Sequence, residues 1–304
     1  MTNLLNLNPP RNTHSKPVII ALHCSLGSGL QWAHLTEACG SDYQVVAPDL
    51  AGYGAHQPRR SPRPSLLSTE AEHLHDDLDA LAGPIHLVGH SFGGAVAFQL
   101  ATSELYARRI HSLTLIEPVL PGALLEHEAD SPLYDQFASE SAQICTPLWG
   151  RDKLLGLRRF LTFWNGATCW DRMSEARKAG LIERVNKLTA DFSAIFGATG
   201  INNAARKLKV PTLLFSGGQS PAPTQRIATR LTSSIPRAWH VHVPAAGHML
   251  AITHAAEINP QILRHIAESH AVSGLVVPFA RASNRSNDLS HGEAGHTPAT
   301  RFNF

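Results

Sequence analysis

Gly89-His90-Ser91-Phe92-Gly93 fits the pattern G-x-S-x-G, a serine set between two glycines. The apolar run at 85–88 before it reads as a strand, and 93–107 after it reads as an apolar helix. This is the strand–turn–helix context that the pattern requires. A sharp turn there lifts the serine above a sheet in a strained backbone, and side chains at the glycine positions would clash with the neighbouring strand and helix. The helix N-terminus adds partial positive charge beside a nucleophile or an oxyanion. Ser91 is therefore expected to be a nucleophile. The plainer alternative is a tight turn with a bystander serine.

An attacking serine needs a base, and the chain has 18 histidines to choose from. His240 and His242 alternate on a strand-like run and could be mistaken for metal ligands. With no third ligand in view they read as surface or packing residues. His73 and His75 fall on a solvated helix. His248 alone follows a strand and loop late in the chain, with Gly247 beside it, and is the expected base.

These residues must be held by regular elements. Short apolar runs at 17–23, 43–48, 85–89, 111–116, 212–216 and 239–243 suit strands buried on both faces of a parallel sheet. Helical patterns lie between them. Thr69 and Glu72 have capping-box spacing, followed by Leu74, Leu78 and Leu81. Residues 223–233 and 259–270 read as amphipathic helices. The alternation predicts an open, doubly wound, mostly parallel α/β sheet. It breaks at 118–209, where helix signals stand alone: Ser131-Pro132 as cap and first-turn proline, then 154–164 and 174–196. That stretch reads as a helical cap inserted into a core of 17–117 and 210–272. Its Trp149, Phe160, Phe163, Trp164, Trp170, Phe192 and Phe196 either line a ligand cavity or form the insertion's own core. Residues 1–16 and the polar tail 281–304 are expected to be flexible, and the basic loop 56–65 a solvated surface loop.

Composition narrows the classes. Of 304 residues 43% are hydrophobic and 16% charged, too apolar for a disordered chain. Net charge is 26 − 24 = +2, which makes no case for a nucleic-acid or anionic-membrane partner. Cys24, Cys39, Cys145 and Cys169 form no CxxC pair and fit neither a zinc site nor a disulfide framework. No signal peptide and no membrane span is read, so a cytoplasmic protein is expected. There is no GxGxxG fingerprint and no phosphate loop, and no cofactor or metal is expected.

The chain resembles the α/β-hydrolase superfamily. His23-Cys24-Ser25-Leu26-Gly27-Ser28-Gly29 is similar to the family's H-G-x-x-x-S/G loop. Residues 45–54 (VVAPDLAGYG) are similar to its V-x-A-x-D-x-x-G-x-G segment, and Ala246-Gly247-His248-Met249 to the motif that presents the histidine. Three departures stand out. Cys24 replaces a glycine and narrows the oxyanion loop. Little chain precedes Pro17, so about six strands are expected. No Asp or Glu occurs from Phe192 to Ala256, where the family's usual acid would fall. Some members carry the acid one strand earlier, which here is Glu117. That keeps the order Ser91, Glu117, His248. The alternatives are a structural glutamate or a dyad with water in the acid's place. Asp49 is a poorer candidate, since its position resembles a structural one. His23 and His90 are expected to hold loops.

The resemblance implies an acyl-enzyme mechanism, with the oxyanion held by the backbone N–H groups of Phe92 and Ser25. The expected substrates are small to medium apolar carboxylic esters, lactones or thioesters. A C–C bond hydrolase or lyase on the same scaffold is the rival enzyme, and a small-molecule receptor with little turnover is the rival of another class. A serine nucleophile argues against the dehalogenase and epoxide-hydrolase branches, which use aspartate there.

Overall fold

The computed structural model describes residues 16–54, 66–150 and 152–272. The loop 56–65, the tail 281–304 and all of the N-terminal segment except Lys16 lie outside the described residues. Six strands form one sheet: β1 (Val18–Leu22), β2 (Gln44–Val46), β3 (Ile85–His90), β4 (Ile110–Ile116), β5 (Thr212–Gly217) and β6 (Ala238–Val243). The order is β2-β1-β3-β4-β5-β6, and every pairing is parallel. Each strand falls on or beside one of the apolar runs. β1, β3 and β5 are buried along their whole length, which is why their sequences show no polar alternation. At the edge, β6 is only partly covered, with Trp239 and His242 exposed.

The side-chain period of two divides the strands between two apolar layers. Val18, Ile20 and Leu22 of β1 face one layer, while Ile19 and Ala21 face the other. Over the first face lies α4 (Phe92–Thr102), whose Ala95, Val96, Phe98 and Leu100 are fully covered. Over the second lie α1 (Ala33–Cys39) and α12 (Ala255–Val272). Ile258, Ile262 and Ile266 recur every four residues of α12 and make one buried stripe.

Between β3 and the helices preceding it, the capping-box reading fails. The helix α2 (Leu67–Glu72) starts at Leu67 with Leu66 as its N-cap, so Thr69 lies inside it. The chain then breaks at His73 before α3 (His75–Asp79). Leu74 and Leu78 are nonetheless buried, because the apolar spacing rather than the cap fixes which face turns inward. Helix α4 stops at Thr102, not at 107, since Ser103 takes an extended backbone.

From β4 to β5 the described residues contain helices and no strand: α5 (Ser131–Trp149), α6 (Lys153–Asn165), α7 (Glu175–Arg184), α8 (Lys187–Gly197) and α9 (Ile201–Lys207), with short 3-10 turns. Asp130, not Ser131, is the N-cap of α5, with Pro132 in its first turn. The run 174–196 is two helices, and Ser174 caps the first by accepting from the Arg177 N–H. Asp130 ties this segment to α10 (Ala222–Ser234): its Oδ1 accepts from Arg226 Nε at 2.7 Å and its Oδ2 from Arg230 Nε. A four-residue helix, α11 (Leu250–Thr253), precedes α12. No helix among the described residues is long and apolar enough to cross a membrane.

The sheet runs outward from β1 in one direction to β2 and in the other through β3. That reversal leaves a crevice at the carboxyl ends of β1 and β3, where open α/β sheets place their ligands.

Candidate active site

Ser91 stands at that crevice, between the end of β3 and the start of α4. Its backbone has φ 57° and ψ −119°, a conformation L-residues rarely adopt. Strain of this kind costs about 1–3 kcal/mol and persists only where surrounding structure enforces it. The enforcement is visible. The Ser91 N–H donates to Ile116 O at 3.0 Å, and Ser91 O accepts from Ala95 N at 3.1 Å. A Cβ on Gly89 would lie 2.4 Å from Gly93 O, and one on Gly93 would lie 2.4 Å from both Leu22 O and His23 O. Only glycine lets the turn sit this close to β1 and α4.

His248 lies in the loop after β6. Its Nε2 is 2.9 Å from Ser91 Oγ, and its Nδ1 is 3.1 Å from Glu117 Oε2. Glu117 directly follows β4, also at positive φ, 48°. Its Oε1 accepts from the Gly217 N–H at 2.6 Å. With Nδ1 protonated, His248 donates to Glu117, and Nε2 is free to accept from the Ser91 hydroxyl. All three residues are buried. Burial pushes the His248 imidazole below its ordinary value, which favours the neutral ring. Burial pushes the Glu117 carboxyl up, and the Gly217 N–H opposes this by favouring the ionised form.

The other expected residues also have places. His90 Nε2 donates to the His248 backbone O at 2.8 Å, while its Nδ1 lies 3.1 Å from Gln31 Nε2 and accepts from it. Gln31 Oε1 in turn accepts from Cys24 N at 3.1 Å, so one relay joins the loop after β1 to the His248 loop. His23 Nε2 accepts from Leu50 N at 2.9 Å, and Asp49 Oδ1 from Gly29 N at 2.8 Å. Both hold loops, and neither reaches Ser91. His240 and His242 share the Ser216 hydroxyl, at 2.8 and 3.1 Å. Burial raises the Cys24 thiol to about 12, which leaves it unreactive at neutral pH.

A cleft with about 260 Å³ of free space, part of it open to solvent, lies over Ser91. Ser25 and Phe92, the expected oxyanion donors, both line it. Its apolar walls are Val119, Phe160, Trp164, Phe192 and Ile195. Three of the nine aromatics between β4 and β5 thus face the site. Phe163 and Phe196 pack on Phe137 instead, and Trp149 is exposed.

Of two further residues here, Trp164 is expected only as one of several aromatics that could line a cavity, and Asp191 escapes the sequence reading. Trp164 of α6 stacks on the His248 ring. Asp191 of α8 is buried on the cleft wall, where its Oδ2 accepts from Ser25 Oγ at 2.6 Å and from Tyr53 OH at 2.5 Å. Its Oδ1 accepts from Lys187 Nζ at 2.7 Å, which donates equally to Glu70 Oε1. Burial pushes the Asp191 carboxyl up, and the Lys187 ammonium opposes the rise. The available signal was the four-residue spacing of Lys187 and Asp191 on one helix face.

Residues 19–261 match the model described as the Alpha/beta hydrolase family. A stretch of 95 residues, 29% of this chain, is 40% identical to protein phosphatase methylesterase 1 of Bos taurus and spans 25% of that relative's length. A longer match, 25% identical over 236 residues and covering 73% of each chain, is to a 2-hydroxy-6-oxo-6-(2'-aminophenyl)hexa-2,4-dienoic acid hydrolase of Metapseudomonas resinovorans. Among solved structures, MenH from S. aureus superposes with a TM-score of 0.67 at 19% identity, covering 85% of this chain and 96% of the other. At that identity the likeness shows the fold.

Proposed function

The chain belongs to the alpha/beta hydrolase family, and we propose that it is a serine hydrolase of small to medium apolar carboxylic esters, lactones or thioesters. The observation that carries this reading is the unbroken hydrogen-bonded chain from Ser91 through His248 to Glu117, ending under a mostly apolar cleft. In the first step Ser91 Oγ bonds to the substrate carbonyl carbon as its proton passes to His248 Nε2. Glu117 orients the ring and balances the charge on the imidazolium. The negative oxygen is held by the N–H groups of Phe92 and Ser25, aided by the N-terminus of α4. The carbon–oxygen or carbon–sulfur bond then breaks, with His248 returning its proton to the leaving group. Water attacks the acyl-enzyme and gives a proton to His248, which passes it to Ser91 Oγ as the acyl carbon–Oγ bond breaks, so that the carboxylic acid leaves and Ser91 is restored.

The aromatic walls favour an apolar acyl group by removing apolar surface from water, at about 25 cal/mol per Å². The limited free volume favours short chains. A series of 4-nitrophenyl esters from acetate to decanoate tests this. Turnover is expected to peak at short to medium chain length and to vanish in Ser91→Ala. Undiminished turnover in that variant would put the nucleophile elsewhere.

A further inference from the structure

We infer that Asp191 sorts substrates by charge: the cleft admits neutral acyl groups and turns away those carrying a carboxylate near the reacting carbonyl. This rests on the hydrolase reading above and adds a substrate class to it. Among the described residues lining the cleft, Asp191 is the one ionisable side chain, and it shares that wall with Ser91. Its state follows from its partners. Ser25 and Tyr53 each present an O–H to Oδ2, and Lys187 presents an ammonium to Oδ1. A carboxylate accepts all three bonds without a proton of its own in the way, so the donors hold the ionised form.

The nearby cation does not offset this charge for a ligand. Lys187 Nζ sits 2.7 Å from both Asp191 and Glu70, so two carboxylates divide one ammonium between them. The ammonium also lies over the Phe92 ring, 5.2 Å from its centroid, and is not part of the cleft wall. Arg184 points its guanidinium to Gly27 O, likewise outside the wall. A carboxylate on an acyl chain that reaches this wall would face a like charge, and at a separation of about 5–6 Å like charges in a partly buried site disfavour binding on the order of 100-fold.

The test compares mono-4-nitrophenyl glutarate with its neutral counterpart, 4-nitrophenyl 4-carbamoylbutanoate, which has almost the same shape. The wild-type protein is expected to favour the amide about 100-fold in kcat/KM. Asp191→Asn should bring the two within a few-fold, and because the ratio is taken within one variant, a general loss of activity cancels. Glu70→Gln, which also removes one negative charge and lies off the cleft wall, should shrink the ratio if Asp191→Asn fails to fold. Equal rates in the wild type, or a ratio unmoved in both variants, would overturn the inference. If neither ester turns over and Ser91 takes up no fluorophosphonate, it is the hydrolase reading that falls. The charge inference is then decided by binding, with quenching of tryptophan fluorescence read for glutaramide against glutarate. Preference for the diamide supports it, and equal binding overturns it.

Discussion

The indole of Trp164 lies face to face with the imidazole of His248, ring centroids 3.9 Å apart and planes 26° from parallel. Trp164 belongs to α6 between β4 and β5, whereas His248 follows β6, so the helical segment roofs the residue expected to carry the proton. The contact has an energetic consequence. In the proposed mechanism His248 becomes an imidazolium in the transition state, and the indole face attracts that charge by about 0.5–2 kcal/mol. Trp164→Leu should therefore lower kcat by about 3- to 30-fold, and Trp164→Phe should keep most of it. Steady-state kinetics on a 4-nitrophenyl ester would show this, and an unchanged kcat in the leucine variant would deny the roof a role in the chemistry.

Glu117 orients the other side of the same ring. Replacing it with glutamine keeps an oxygen for the Gly217 N–H but removes the charge that balances the imidazolium, and it invites the wrong histidine tautomer. By comparison with triad acids of this kind, kcat should fall on the order of 10²–10⁴-fold. Folding, read by circular dichroism, should be retained. A near-normal rate in Glu117→Gln would redirect the search for the acid to another carboxylate.

Ser91 trades stability for position. Its φ of 57° suits glycine and strains any residue with a Cβ. Ser91→Gly should thus abolish turnover while raising the unfolding free energy by up to about 1 kcal/mol in urea titration. Ser91→Ala should abolish turnover with no such gain. A glycine variant no more stable than the alanine one would mean that the strain is absent in solution.

Asp130 fastens the start of α5 to α10 through Arg226 and Arg230. Burial alone would raise its carboxyl, but the two guanidiniums outweigh that and hold it below the ordinary value. The folded form therefore releases this proton more readily than the unfolded chain. The stabilisation is complete above the ordinary carboxylate value and is lost as pH falls through the lowered one. Asp130→Asn should cost on the order of 1 kcal/mol at pH 7, discounted because Arg226 is partly in solvent. Urea titrations at pH 7 and pH 3 should show the gap between wild type and variant narrowing in acid. A gap of constant size would assign the effect to packing instead.

The sheet was legible because its central strands are buried on both faces and have to be continuous apolar runs. β1 has no polar residue at all, and the few in β3 and β5, His86, His90, Thr212 and Ser216, are buried with the rest. Ser91 was legible for a steric reason, since Gly89 and Gly93 have space for no other residue. What the sequence could not show is which helix faces meet. The apolar spacing of α6 says that Trp164 is buried, but not that His248 lies beneath it. Lys187 and Asp191 stand four residues apart, a spacing that by itself does not show whether the pair is buried. Their burial comes from Glu70 and Tyr53, far away in the chain. The Thr69 and Glu72 spacing misled because a capping pattern is local, whereas the start of α2 is set by Leu67 entering the core.

The central claim is that Ser91 is activated by His248. A fluorophosphonate probe with intact-mass detection tests this without any assumption about substrate. The account predicts one adduct on the wild-type protein, none on Ser91→Ala, and slow labelling of Glu117→Gln. An unlabelled wild-type protein, or an adduct that survives in Ser91→Ala, would contradict it.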